Sequence, residues 1–198
     1  MNDGGRSTFL PLEPPRARTS KSTKWTVLVL VAVVCGSPSA LFYLFHQYFR
    51  VFEIPSASME PTIRRGDRIF ANMHYFHDHK PARGDVIVIQ RPKILVIKRV
   101  VALPGDTIEG REGTVLVNGK AISEPYALRC TSESLESSRN FGPTKLEAGE
   151  YFVLGDNRDN SLDSRYPDFG PIPLATIVGR PLYILSSERG DRAWERIK

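Results

Sequence analysis

The chain has 198 residues, room for one ordinary domain and an anchor, and at 41% hydrophobic and 25% charged it is too apolar for wholesale disorder. Its net charge of +5 invites a nucleic-acid reading until the charge is located. Residues 1–24 carry five Arg or Lys against two acids, and the remainder carries 22 basic against 20 acidic residues, so the excess sits in the tail and argues against a nucleic-acid binder.

Residues 1–24 are rich in Pro, Ser and Arg without apolar periodicity, and read as a disordered cytoplasmic tail. The next stretch, "WTVLVLVAVVCGSPSALFYLF" (25–45), has no charge. As a helix rising about 1.5 Å per residue it spans the roughly 30 Å hydrocarbon core of a bilayer. Trp25 opens it, and Phe42, Tyr43, Tyr48 and Phe49 crowd its far end, as interfacial aromatics do. A cleaved signal peptide competes, because "SPSA" offers small residues, but the run stays apolar from Leu41 to Phe45, which favours an uncleaved signal-anchor. "VVCG" makes a poor lipoprotein site, since a valine precedes the cysteine. The short basic tail then stays cytoplasmic and residues 46–198 form an extracytoplasmic domain. Cys35 lies in the span and leaves Cys130 as the domain's one thiol, so cysteine usage does not decide the compartment.

Beyond residue 50 short β-rich runs dominate: "VFEI", "DRIFANM", "GDVIVIQ", "KILVIKRVVAL", "GTVLVNGKAI", "GEYFVLGD" and "IVGRPLYIL", separated by Gly and Pro turns. Asn118-Gly119 within "VNGK" is a strong hairpin signal. Residues 124–148, which include Cys130, read as a polar, irregular surface excursion. The expected fold is an all-β domain of mainly antiparallel strands, preceded by one transmembrane helix.

Four segments carry polar chemistry. "PSASMEPT" (55–62) sets Ser56 and Ser58 between prolines, which makes a stiff extended loop. "HYFHDHK" clusters His74, His77 and His79, a solvated loop or a metal site. Lys98 ends the apolar run "ILVI"; it either terminates a strand at solvent or points into apolar surroundings. In the second case burial lowers its pKa toward that of a base for a serine. "GDNRDNSLDSR" (155–165) is a loop ordered by its own side chains. As a calcium loop it fails, because Arg158 takes a ligand position and Ser161 stands where the turn glycine belongs. Three Arg-Gly-Asp tripeptides, at 65–67, 83–85 and 189–191, read as turns.

Taken together and in this order after an anchor, "PSASMEPT", "KRVVALPGD" and "GDNRDNSLDSR" resemble the type I signal peptidases, membrane-bound Ser/Lys proteases. The resemblance covers roughly residues 50–185. It implies Ser58 as nucleophile and Lys98 as general base, with an oxyanion hole shared by the Ser56 hydroxyl and the Ser58 N–H. It also implies that Ser161 holds Lys98, that Asp163 and Arg165 brace the site, and that Ile54, Pro55, Met59, Ile63, Val96 and Ile97 line the substrate groove. The partners so implied are signal peptides of exported preproteins, cut after small residues at −1 and −3, and membrane phospholipid. Neither metal nor organic cofactor is implied. The sequence departs from the family's compact turn after Arg165 by an extra Pro167-Asp168. Rivals are a maturation peptidase dedicated to one substrate, a non-catalytic anchored β-domain, and a self-cleaving repressor. The span and the lack of a DNA-reading helix pair argue against the last.

Overall fold

Each β-rich run expected between residues 51 and 185 contains a strand in the computed structural model, which describes residue 32 and residues 42–43, 45–128 and 139–198. All strands fall within the unit Leu44–Lys198. Strands β1 (Phe49–Glu53), β2 (Arg68–Asn72), β3 (Val86–Gln90), β4 (Leu95–Ala102), β9 (Glu150–Leu154), β10 (Ile172–Pro173), β11 (Ile177–Ser186) and β12 (Glu195–Arg196) make one sheet. Its order is β1-β2-β11-β3-β4-β9-β10, with β12 on β11. A smaller sheet runs β7-β6-β5-β8, from β5 (Thr107–Arg111), β6 (Thr114–Val117), β7 (Lys120–Ala121) and β8 (Phe141–Lys145). Every strand pairing is antiparallel. The all-β, mainly antiparallel expectation is met.

The Asn118-Gly119 turn joins β6 to β7 with both residues at positive φ, 52° and 74°, as a tight two-residue hairpin requires. Each Arg-Gly-Asp tripeptide sits in a turn: Asp67 N–H donates to Arg64 O, Asp85 N–H to Ala82 O, and Gly190 N–H to Ser187 O. Pro167 and Asp168 point to solvent from a turn in which Phe169 and Gly170 N–H both donate to Tyr166 O. The Pro167-Asp168 pair therefore bulges outward while Phe169 returns to the core under the Arg91 guanidinium, 4.1 Å from its ring centre.

Two expectations need correction or restriction. Residues 124–148 are not an irregular excursion throughout: Phe141–Lys145 is a strand paired with β5, Leu146 is buried, and Glu124 is buried in an ion pair. Gly142 and Pro143 disguise that strand, since both are poor strand residues. Gly110 of β5 is obligatory there, because the Phe141 ring occupies the space of a Cβ. The tail 1–24, nearly all of the apolar run 25–45, Cys35 and Cys130 lie outside the described residues. Among the described residues no helix is long and apolar enough to cross a membrane.

Strand β4 positions the site. Its central hydrogen bonds run to β3 and β9, and two apolar clusters cover it. Val100 packs with Ile87, Ile89 and Val153 on one side, while Val101 and Ala102 pack with Ile108, Phe152 and Leu154 on the other. Lys98 pairs with Ile87 and Arg99 with Leu154, so both cations start inside this apolar sandwich. Burial without compensation is costly for any charge. Each cation must therefore find partners or lose its proton.

Candidate active site

The loop bearing Ser58 leaves β1 and returns to β2. Its base is closed by two backbone bonds, Ile54 N–H to Asp67 O (2.9 Å) and Gly66 N–H to Ile54 O (2.8 Å). Met59 and Ile63 are sunk in the cluster of Ile69, Val86, Ile184 and Ile197, and Ile63 N–H donates to Met59 O. Proline at 55 and 61 fixes φ on either side. Ser58 is thus presented on a loop anchored from beneath by apolar burial. Its Oγ lies 3.3 Å from Ser56 Oγ, and Lys98 Nζ donates to it at 2.9 Å.

Lys98 is 4% exposed. Burial pushes its ammonium down from an ordinary 10.5 to about 8, against the opposing attraction of Asp163 and Asp156; Arg165 adds to the lowering. Of the two readings open at Lys98, solvent edge or apolar interior, the interior one holds. At pH 7 a group of pKa about 8 is neutral in roughly one molecule in ten, against fewer than about one in a thousand for an ordinary lysine.

The turn and loop after β9 close the site. Gly155 N–H donates to Asp163 Oδ2 at 3.0 Å. Arg165 grips Asp163 through Nε (2.8 Å) and Nη2 (2.9 Å), and its Nη2 also donates to Arg158 O (2.8 Å). Asn157 N–H donates to Ser58 O at 3.1 Å, tying this loop to the one that bears Ser58. A Cβ on Gly155 would collide with Ser58 O and with Ser161. Among the described residues Ser161 Oγ is buried with no hydrogen-bond partner, so the bond to Lys98 implied by the resemblance is not formed.

Sequence reasoning missed the second cation. Arg99 donates to Asp156 from Nε (2.8 Å) and Nη2 (2.7 Å), and from Nη1 to Gly84 O and Lys198 O. Thr62 Oγ1 donates to Asp156 as well. This buried fork ties β4 to the Ser58 loop and to the turn after β9. The available signal was position: Arg99 follows Lys98 and Asp156 follows Gly155, inside two of the three segments already singled out.

The sequence profile of the family described as signal peptidase, peptidase S26, matches residues 22–185. The chain belongs to this family. It is similar to signal peptidase I T of Bacillus subtilis (strain 168), 31% identical over 175 residues that cover 85% of this chain and 88% of the relative. It also resembles signal peptidase I of Bacillus amyloliquefaciens, 34% identical over 81% of this chain and 83% of the relative. The probable signal peptidase I-1 of Synechocystis sp. is 36% identical over 79% and 78%. A crystal structure of a signal peptidase I from Enterococcus faecalis V583 aligns with 52% of this chain and 97% of its own, at 36% identity and a TM-score of 0.40. As a member of the S26 peptidases this chain is a serine endopeptidase.

The six groove candidates divide by burial. Ile63 is 0% and Met59 2% exposed, so both support the loop and offer no surface to a peptide. Ile54 is nearly as buried, Val96 and Ile97 are partly open along β4, and Pro55 is exposed. Pro55 and Ile54 also border an open cavity of about 490 Å³ whose charged lining is Glu53, Arg65, Arg68 and Glu188. The three loop histidines stack on one another or on a neighbouring tyrosine: the His74 and His77 rings lie 4.8 Å apart, and that of His79 stacks on Tyr75. Among the described residues no three His, Cys, Asp or Glu are grouped to hold a metal.

Proposed function

We propose that this peptidase removes signal peptides from exported preproteins through a Ser58–Lys98 dyad, working at the outer face of the plasma membrane. The observation that carries the reading is the 2.9 Å contact between Ser58 Oγ and a buried lysine whose pKa is brought to about 8. As Ser58 Oγ attacks the scissile carbonyl, the neutral Lys98 amine takes its proton. The carbonyl oxygen becomes an oxyanion, received by the Ser58 N–H and the Ser56 hydroxyl. The Lys98 ammonium then returns the proton to the departing amine, and an ester to Ser58 remains. Lys98 next takes a proton from water, whose oxygen attacks the ester, and gives it back to Ser58 Oγ as the acid leaves.

The remaining residues fall into supporting roles. Asp163 and Arg165 hold the wall behind Lys98. Ser161, whose hydroxyl has no hydrogen-bond partner among the described residues, turns to the amine and steadies it once it is neutral. Val96, Ile97 and Pro55 flank an extended substrate strand, and shallow pockets admit small residues at −1 and −3 by steric exclusion. The apolar run 25–45 anchors the chain with its N-terminus inside. The 13 positions from Phe45 to Ser58 keep the nucleophile close to the phospholipid surface, where a translocated signal peptide presents its cleavage site.

The test is incubation with several unrelated preproteins in detergent, with the cut located by mass spectrometry. The expected result is one cut in each, after a small residue, and none by Ser58→Ala or Lys98→Arg. The arginine stays protonated and takes no proton from serine. Cleavage of a single preprotein alone would replace the general role with a dedicated one, and turnover by Ser58→Ala would remove the nucleophile.

A further inference from the structure

Outside the motif segments, one short stretch is tied to the nucleophile through buried charge. Residues 124–128 follow shortly after β7, within the connection from β7 to β8, and Glu124 is buried there against Arg158 of the turn after β9. The pair is bidentate: Arg158 Nη2 donates to Glu124 Oε1 at 2.6 Å and Nη1 to Oε2 at 3.0 Å, while Nε caps Gly155 O at 3.0 Å. Tyr126 donates its hydroxyl to the same carboxylate, and its ring lies under the Arg99 guanidinium at 4.0 Å. Two backbone bonds complete the attachment, Leu128 N–H to Asp156 O (2.8 Å) and Arg158 N–H to Leu128 O (3.3 Å).

The turn Gly155–Arg158 is therefore held from two sides. Asp163 and Arg165 hold one side, through Gly155 N–H and Arg158 O. The 124–128 stretch holds the other. Between them, Asn157 N–H is aimed at Ser58 O at 3.1 Å. That carbonyl belongs to the peptide following the nucleophile, and its orientation helps set where Oγ and the Ser58 N–H point. A bidentate guanidinium–carboxylate fork is the geometrically strictest ion pair available to a protein. Exposed surface needs no such fork, and burial makes it expensive unless its geometry is used.

The geometry points to Glu124–Leu128 as a positioning strap: Glu124, through Arg158 and Asn157, fixes the Ser58 carbonyl and so the approach of Ser58 Oγ to Lys98. Glu124 and Tyr126 touch neither substrate nor reacting atoms, and act only through the turn. This inference rests on Ser58 being the nucleophile. Losing an architectural ion pair lowers the melting temperature and leaves the chemistry of the folded enzyme alone. Losing a positioning strap lowers kcat in molecules that are folded, with KM little changed, because misplacing reacting atoms by a fraction of an ångström slows the chemical step more than it weakens binding.

The experiment compares full-length wild type, Glu124→Gln, Tyr126→Phe, Val117→Ala and Ser58→Ala at a temperature where circular dichroism shows each to be folded. Val117, in β6 of the small sheet, is buried in an apolar cluster that includes none of the candidate site residues, and supplies a destabilised control. Glu124→Gln is expected to lower kcat about 10-fold or more with KM within about twofold, and Tyr126→Phe to lower it less. Val117→Ala, with its own loss of melting temperature, keeps wild-type kcat. A folded Glu124→Gln with kcat within about twofold of wild type overturns the strap. If Glu124→Gln does not fold, Glu124→Gln/Arg158→Gln removes the unpaired buried cation and is judged by the same criterion. Failure of both to fold makes the pair architectural and also overturns the proposal. Ser58→Ala separates the two levels: if it is inactive while the Glu124 variant is normal, only the strap falls, whereas activity in Ser58→Ala removes the nucleophile itself.

Discussion

Replacing Lys98 by Met should destroy activity and at the same time stabilise the protein. The drop in the lysine pKa from 10.5 to about 8 is a statement about folding as well as catalysis. At about 1.36 kcal/mol per pH unit, the folded state disfavours the ammonium by roughly 3 kcal/mol. The sign follows from proton counting. Between pH 8 and 10.5 the unfolded chain holds the proton and the folded chain has released it, so this group makes stability rise with pH across that window. Below about pH 8 the folded state carries the whole penalty. Methionine keeps the bulk and removes the charge, but loses the bond to Ser58 Oγ, worth about 1 kcal/mol. The net gain at pH 7 is about 2 kcal/mol, or roughly 4–8 °C in Tm for a domain of this size. At pH 10 the wild-type penalty has fallen to under about 1 kcal/mol, so the gain disappears. Thermal melts of both proteins followed by circular dichroism at pH 7 and pH 10 provide the assay. A Lys98→Met protein that is less stable than wild type at pH 7, or equally stabilised at both pH values, refutes the reasoning.

Ser56→Ala should slow kcat by up to about 10²–10³-fold with the fold intact, the range for loss of one oxyanion donor, and an unchanged rate would make Ser56 a turn residue only. Gly155→Ala forces a Cβ against Ser58 O and Ser161, and should cost about 10²-fold in kcat while the protein remains folded; wild-type turnover would show that the turn yields freely. Ser161→Ala removes a buried hydroxyl that has no partner, so Tm should hold or rise while kcat falls. A Tm loss of several degrees would contradict the unpaired hydroxyl.

Much of the fold is readable from local pattern, and the failures have physical causes. "GDVIVIQ" and "KILVIKRVVAL" are apolar and β-branched, so they announce strands wherever they are placed. Asn118-Gly119 announces its hairpin because the required positive φ values suit few other residues. Strands β5 and β8 escape because Gly110, Gly142 and Pro143 argue against strand locally; the Phe141 ring that demands Gly110 comes from 31 positions away in sequence. The Ser58 and Lys98 pair is legible as motifs, but the burial of Lys98 is not. Alternation along a strand separates inside from outside only when one face is wet, and β4 is buried on both from Lys98 to Ala102. For the same reason nothing in the local pattern marks Arg99 as the inner half of a fork with Asp156. Glu124 and Arg158 meet across 34 positions, and neither neighbourhood signals the other.

The measurement that bears most directly on the dyad is the pH dependence of kcat/KM for the wild-type enzyme on one preprotein, supported by the same profile for Ser56→Ala. Lys98 as base predicts an acidic limb with a midpoint near its pKa of about 8, rising toward mildly alkaline pH and keeping that midpoint in Ser56→Ala. A limb centred near about 6.5, the ordinary range of histidine, would contradict the Ser58–Lys98 mechanism and move the search for the base to another residue.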